Sequence, residues 1–285
     1  MVYDINNNSS NVAYGLDGNL LEQAYDINKN PLLSFETDFK VMSYNVGSWT
    51  AFGASATTSN QETWYTLQND IISSEAPDFL GIQEYDDQIG SYSVPVMIKQ
   101  YLPYLFGVDK VSGKAGRALA SKRRMKNSRE VNFQNQNGEQ RSYLITDISV
   151  NGKTVKFLTA HLALDKATII LQIQELLSTV NNYEYWILTG DFNINFPSSQ
   201  SDGYNALIKP FLDAGYNVAN GADFGFIPTF STKQPGDDSD WRCLDNIMCS
   251  SNIDITNVYV NRKKITDHVG YGIDHLPLIA EVVIN

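Results

Sequence analysis

The chain has 285 residues, 42% of them hydrophobic, enough for one large domain with a buried core or for two small ones. No run approaches the ~18 apolar residues that a membrane helix requires, and a formal net charge of −11 on its face argues against a nucleic-acid partner. The charge is uneven, however: residues 110–129 hold eight of the 21 basic side chains (Lys110, Lys114, Arg117, Lys122, Arg123, Arg124, Lys126 and Arg129) and no acid, leaving 13 basic against 32 acidic residues elsewhere. Such a strip would steer a polyanion to one face of an acidic body, or simply balance nearby acids as a solvated loop.

Residues 1–35 form an N-terminal extension by texture. Tyr3, Tyr14 and Tyr25 recur every eleven residues, each followed by an Asp/Asn/Gly cluster with turn chemistry, and the three copies are too few for a solenoid of their own. A hairpin-like attachment module is the expectation; Asp26, Asn28 and Asn30 hint at calcium but lack the rest of a loop motif. No basic-then-apolar leader pattern opens the chain, which points to a soluble protein of the cytoplasm, or a secreted one whose leader has been removed.

Residues 36–285 read as one domain of short buried strands alternating with amphipathic helices. FKVMSYNV is a strand, TWYTLQNDIISS places Trp64, Leu67, Ile71 and Ile72 at helical spacing, and DFLGIQE is a buried strand. YLITDISV and TVKFLTAHL flank Asn151-Gly152, a strong hairpin signal. Leu171, Ile173, Leu176, Leu177 and Val180 suggest the next helix face, followed by strand EYWILTGDFN, helix YNALIKPFLDAG, a Phe-rich loop, and strands CLDNIMCS, ITNVYVN and PLIAEVVI. Cys243 and Cys249, six apart along an extended run, would sit ~20 Å apart, too far for a disulfide. The pattern predicts an α/β protein with packed sheets.

Strand after strand ends in a residue capable of metal or proton chemistry: Asn45, Glu84, His161, Asp191 with Asn193, Asp245, and Asp274-His275. Carboxylates that follow buried apolar runs are costly unless they converge on a cation or on one another. The ordered set MSYNV, GIQE, TAHLAL, TGDFNIN, RCLDNIM and IDHLPL resembles the endonuclease/exonuclease/phosphatase (DNase I-like) superfamily over residues 38–285. The resemblance implies two mixed β-sheets packed face to face as a sandwich flanked by helices, in four α/β/β/α layers, and magnesium-dependent cleavage of phosphate esters, with manganese as a substitute. It also favours Asp274-His275, followed by Leu276-Pro277 and a last strand, over the second pair Asp267-His268. Ile273 stands where the family usually has Ser, and Gly47 where some nucleases carry a further Asp, so a single ion is expected.

By that resemblance Asn45, Glu84 and Asp274 would serve the metal, since hard oxygen ligands suit magnesium. Asp191 would orient or deprotonate the attacking water, and Asn193 would donate to a phosphate oxygen. His275, backed by Asp245, would hydrogen-bond a non-bridging oxygen or act as base, with His161 mirroring it on the leaving-group side. Arg117 is the expected phosphate contact from the basic strip. Trp49, Phe52, Phe224, Phe226 and Phe230 would stack on bases, dip into lipid or pack in the core. The expectation is a monomeric nuclease acting on DNA. The alternatives are a phospholipase C/sphingomyelinase-like enzyme or phosphoinositide/nucleotide phosphatase, and a non-catalytic binding module of this fold.

Overall fold

A computed structural model describes residues 38–47, 58–109, 116–138, 140–231, 240–262 and 274–285. The N-terminal repeats, Trp49, Phe52, Lys110, Lys114 and the pair Asp267-His268 lie outside them. In chain order the elements are β1 (Asp38–Asn45), α1 (Thr58–Glu75), β2 (Phe79–Tyr85), a small β3–β4 hairpin (Gln88–Ile89, Tyr92–Ser93), α2 (Val94–Lys99), β5 (Tyr104–Val108), β6 (Gly116–Ser121), β7 (Met125–Asn132), β8 (Ser142–Val150), β9 (Lys153–His161), α3 (Lys166–Val180) and β10 (Trp186–Asp191). A π-type turn at Tyr204–Ile208 leads into α4 (Lys209–Asp213), followed by β11 (Asn217–Val218), β12 (Asp245–Cys249), β13 (Ile253–Val260) and β14 (Leu278–Ile284).

The long strands make two six-stranded sheets, ordered β13-β14-β1-β2-β6-β5 and β11-β12-β10-β9-β8-β7. Each sheet has a single parallel pair at its centre, β1/β2 in one and β9/β10 in the other, with antiparallel neighbours on both sides. Parallel neighbours need a crossover, and α1 and α3 supply the two crossovers. The four parallel strands therefore deliver their carboxyl ends, Asn45, Glu84, His161 and Asp191, to the same pole.

Three apolar clusters stack into the expected four layers. Phe39, Val41, Phe79, Leu119, Phe157, Ile187, Ile247 and Leu278 fill the space between the sheets. Leu67, Ile71, Met97 and Ile98 of α1 and α2 cover the outer face of one sheet, and Ile169, Ile173, Leu176 and Phe211 of α3 and α4 cover the other. Two sequence expectations change in detail. On α3 the buried stripe is Ile169, Ile173, Leu176 and Val180, while Leu171 points outward at 44% exposure; spacings of three and four set the inward face, and Leu171 falls off that stripe. Met125–Asn132, whose first residues belong to the basic strip and for which no strand was expected, is an edge strand. Cys243 and Cys249 are free and buried, as their spacing required.

Candidate active site

Asp191 is the hub of the polar cluster at that pole. Its Oδ2 lies 3.5 Å from His161 Nε2 and 3.5 Å from His275 Nε2, and it accepts a 2.9 Å hydrogen bond from Asn45 Nδ2 across the gap between the sheets. Oδ1 accepts from the Asn193 backbone N–H at 2.9 Å. That bond turns the chain immediately after β10, where Asn193 adopts a left-handed φ of 52°, and the Asn193 amide donates at 2.9 Å to the Leu162 carbonyl. GDFN is thus a rigid corner tied to the end of the neighbouring His161 strand. Burial holds the Asp191 carboxyl above the usual carboxylate range, against the opposing pull of His275.

The two imidazoles have different surroundings. Burial works against charging His275, but Asp245, 2.8 Å from its Nδ1, and Asp191 overcome this and hold its pKa up to about 10. Burial and then the charges of Arg141, Arg117 and His275 hold the His161 pKa well below the usual histidine value. His275 is an imidazolium at neutral pH and His161 is neutral. His161 Nδ1 has no hydrogen-bond partner among the described residues, so the ring proton belongs on Nε2, facing Asp191.

The segment 229–231 locks the Asp245 and His275 pieces together. Thr229 Oγ1 accepts from the N–H groups of Leu244 and Asp245 at 3.2 and 3.1 Å, and Phe230 bridges in antiparallel fashion to both Arg242 and His275. The Phe230 ring stands edge-on to the His275 ring at 4.8 Å. Of the other Phe-rich loop residues, Phe226 packs against Tyr204 and the core, while Phe224 lines a side cavity of about 540 Å³.

Glu84 occupies a bulge in β2, where the register with β6 shifts between Gln83 and Tyr85, and its φ of 57° is left-handed. A bulge of this kind re-aims a side chain, and the Glu84 carboxylate meets Asn45 Nδ2 at 3.3 Å. Burial raises the Asp274 pKa and the nearby Glu84 charge adds to the effect, against His275. Of the three residues expected to serve the metal, Glu84 and Asp274 bring two mutually repelling carboxylates together, which fits a hard divalent cation, whereas Asn45 turns its Nδ2 to Glu84 and its Oδ1 accepts from the Gly47 N–H at 2.9 Å. Ligand atoms of Asp191, Asp245 and His275 also lie within 4.8 Å of one another, but there the imidazolium already balances carboxylate charge. Asn45 has a further role that its strand-end position did not reveal, because its amide ties Glu84 on one sheet to Asp191 on the other.

Arg117 requires a correction. Its side chain is fully buried between the sheets, with Nη2 3.5 Å from Glu130 Oε1, so it does not extend from a surface strip toward a phosphate. The middle of the strip, Lys122 to Lys126, lies away from the site: Ser121 is level with Phe79 and Val41, and Lys126 is level with Asp147 and Lys156, toward the opposite pole. There Lys122 pairs with Asp78 at 2.9 Å and Arg123 lies over Phe39. The cation near the site that the sequence reading passed over is Arg141, only 3% exposed. It acts on His161 and lines a cavity of about 220 Å³ with Asn137, Ala163, Leu164 and Asp165. Its place directly before a strand that pairs with the His161 strand was the available signal.

With this geometry in view, the comparisons are specific about the family. Residues 42–268 match the profile of the endonuclease/exonuclease/phosphatase family, and the chain belongs to that family of hydrolytic phosphoesterases. No curated protein matches the chain by sequence. Among solved structures, an endonuclease/exonuclease/phosphatase from Bacteroides vulgatus is similar with a TM-score of 0.67 at 14% identity, covering 88% of this chain and all (100%) of that one. A humanized D. rerio TDP2 is similar with a TM-score of 0.65 at 15% identity, covering 86% of this chain and 98% of that one. D. rerio TDP2 complexed with a single-strand DNA product is similar with a TM-score of 0.64 at 17% identity, covering 87% of this chain and 99% of that one.

Proposed function

We propose that the chain is a magnesium-dependent phosphodiester hydrolase acting on nucleic acid, with DNA as the leading substrate. The observation that carries this reading is the placement of one Asp191 oxygen between two imidazole Nε2 atoms, each 3.5 Å away. A buried carboxylate with a raised pKa is suited to take a proton from water near neutrality. The His275 imidazolium, fixed by Asp245, donates to a non-bridging phosphate oxygen, and its protonation favours this donor role over that of base. Neutral His161 serves the leaving-group side, and Asn193 offers its second amide hydrogen to the phosphate. Glu84 and Asp274 would hold the ion, with Asn45 fixing the Glu84 carboxylate through its Nδ2, and the bound ion would supply Lewis-acid stabilisation of charge on the phosphoryl group. Arg141 replaces Arg117 as the cation that orients phosphate. Lys122 to Lys126 lie too far from the site to support a nucleic-acid substrate; the similarity to a TDP2 structure complexed with a DNA product supports it.

The test is a panel of plasmid, single-stranded DNA and RNA, sphingomyelin and inositol phosphates, each with magnesium, manganese or chelator. Cleavage of nucleic acid with either ion and none with chelator is expected. Turnover confined to sphingomyelin or inositol phosphates would replace the nucleic-acid reading with a small-phosphoester one.

A further inference from the structure

The interior rungs of the sandwich change character just below the site. Along β1 the inward positions run Phe39, Val41, Ser43, Asn45; along β9, Val155, Phe157, Thr159, His161; along β10, Ile187, Thr189, Asp191. Between the apolar rungs and the site lies one layer of Ser43, Gln83, Thr159 and Thr189, all fully buried. Gln83 Nε2 donates across the sheets to Thr159 Oγ1 at 2.8 Å and lies 3.4 Å from both Ser43 Oγ and the Gly81 carbonyl. The sheets approach closely at this level: a Cβ on Gly81 would sit 1.9 Å from Thr189 Oγ1 and 2.9 Å from Thr159 Oγ1. Gln83 Oε1 is buried with no hydrogen-bond partner among the described residues. An apolar side chain of the same size would avoid that cost, so packing alone does not account for the amide.

We propose that Gln83, acting through Thr159, is a positioning residue that holds the two halves of the site in register. It directly precedes Glu84 at the bulge on one sheet, and its partner lies two residues before His161, on the same face of the other. Other bonds also cross between the sheets near the site, Asn45 to Asp191, His275 to Asp245 and Arg117 to Glu130, but the Gln83–Thr159 bond ties the residue before Glu84 to the His161 strand one rung below the site. The inference rests on the proposed phosphodiesterase reading.

Paired substitutions test it. Thr159→Val keeps the branched shape and removes the acceptor, whereas Thr159→Ser keeps the hydroxyl and loses a methyl. Thr159→Val should lower kcat on the order of tenfold to a hundredfold with KM changed little, as expected of a misplacement under about 1 Å. Thr159→Ser should keep kcat within about threefold of the parent even with a lower melting midpoint, since the hydroxyl governs geometry and the methyl packing. Activity that follows the melting midpoint across both variants, or a fully active Thr159→Val, would overturn the inference. The ring NMR signals of His161 give an independent readout: Thr159→Val must move them and Thr159→Ser must leave them in place. An unmodified chain inactive on every substrate would defeat the functional reading, and these NMR signals would still decide the positioning claim.

Discussion

Asp245 is fully buried and its carboxylate sets the charge of His275, so the pair should dominate the pH behaviour of the molecule. His275 binds its proton more tightly in the folded chain than at the ordinary value of about 6.5. The resulting stabilisation is therefore complete below that value and is lost as pH rises toward about 10. Asp245→Asn should lower the melting midpoint most near pH 6, with the deficit shrinking toward pH 10, and should move the basic limb of the kcat/KM profile to lower pH. A basic limb unmoved by Asp245→Asn would mean that His275 is not the donor. His275→Ala should reduce kcat by about 10² to 10⁴, the range for a positioned proton-transfer group, whereas His268→Ala should retain most activity. The reverse ranking would show that the wrong Asp-His pair has been assigned.

At the scale of elements, α3 both covers its sheet and braces the site. Gln172 Oε1 accepts from the Ala163 N–H at 2.9 Å and its Nε2 donates to the Asn135 carbonyl at 2.8 Å, which fixes the loop that follows His161. Ile173 packs inward beside it, so Ile173→Ala should cost about 2–5 kcal/mol in denaturant unfolding. Leu171→Ala, on the outward face, should change stability by no more than about 0.5 kcal/mol; equal losses at the two positions would contradict the assignment of the buried stripe. Most elements were legible in the sequence because their apolar periods are strong and their turns carry chemistry: Asn151 and Gly152 take left-handed φ values of 50° and 78°, as a two-residue hairpin needs. Met125–Asn132 was not legible. Its MKNSREVN sequence is charged because it is a sheet edge, where charges deter pairing with another chain, and charge along a strand resembles charge along a loop. The site residues were legible as strand ends, but the cross-sheet bonds of Asn45 and Gln83 were not, since strand order is not written in local pattern. Arg117 misled for a related reason: it is one of eight basic residues in its stretch, and only sheet register shows that it turns inward.

For the molecule as a whole, the parallel pairs of two similarly ordered sheets place the candidate site at one pole and the basic residues Lys122, Arg124 and Lys126 at the other. The poles lie roughly 15 Å or more apart along the strands, beyond the ~8 Å Debye length at physiological salt. Replacing Lys122, Arg124 and Lys126 together with glutamine should therefore leave kcat/KM on a DNA substrate within about twofold at that ionic strength. A large loss would reinstate the strip as a steering surface.

The central claim is that the carboxyl ends of both parallel pairs build one phosphoesterase centre around Asp191. Single-turnover cleavage of an end-labelled oligonucleotide by the parent chain and by Asp191→Asn, each with magnesium and each verified as folded by circular dichroism, tests it most directly. The account predicts cleavage by the parent and a rate at least about a thousandfold lower for Asp191→Asn. Comparable cleavage by the two proteins would contradict it.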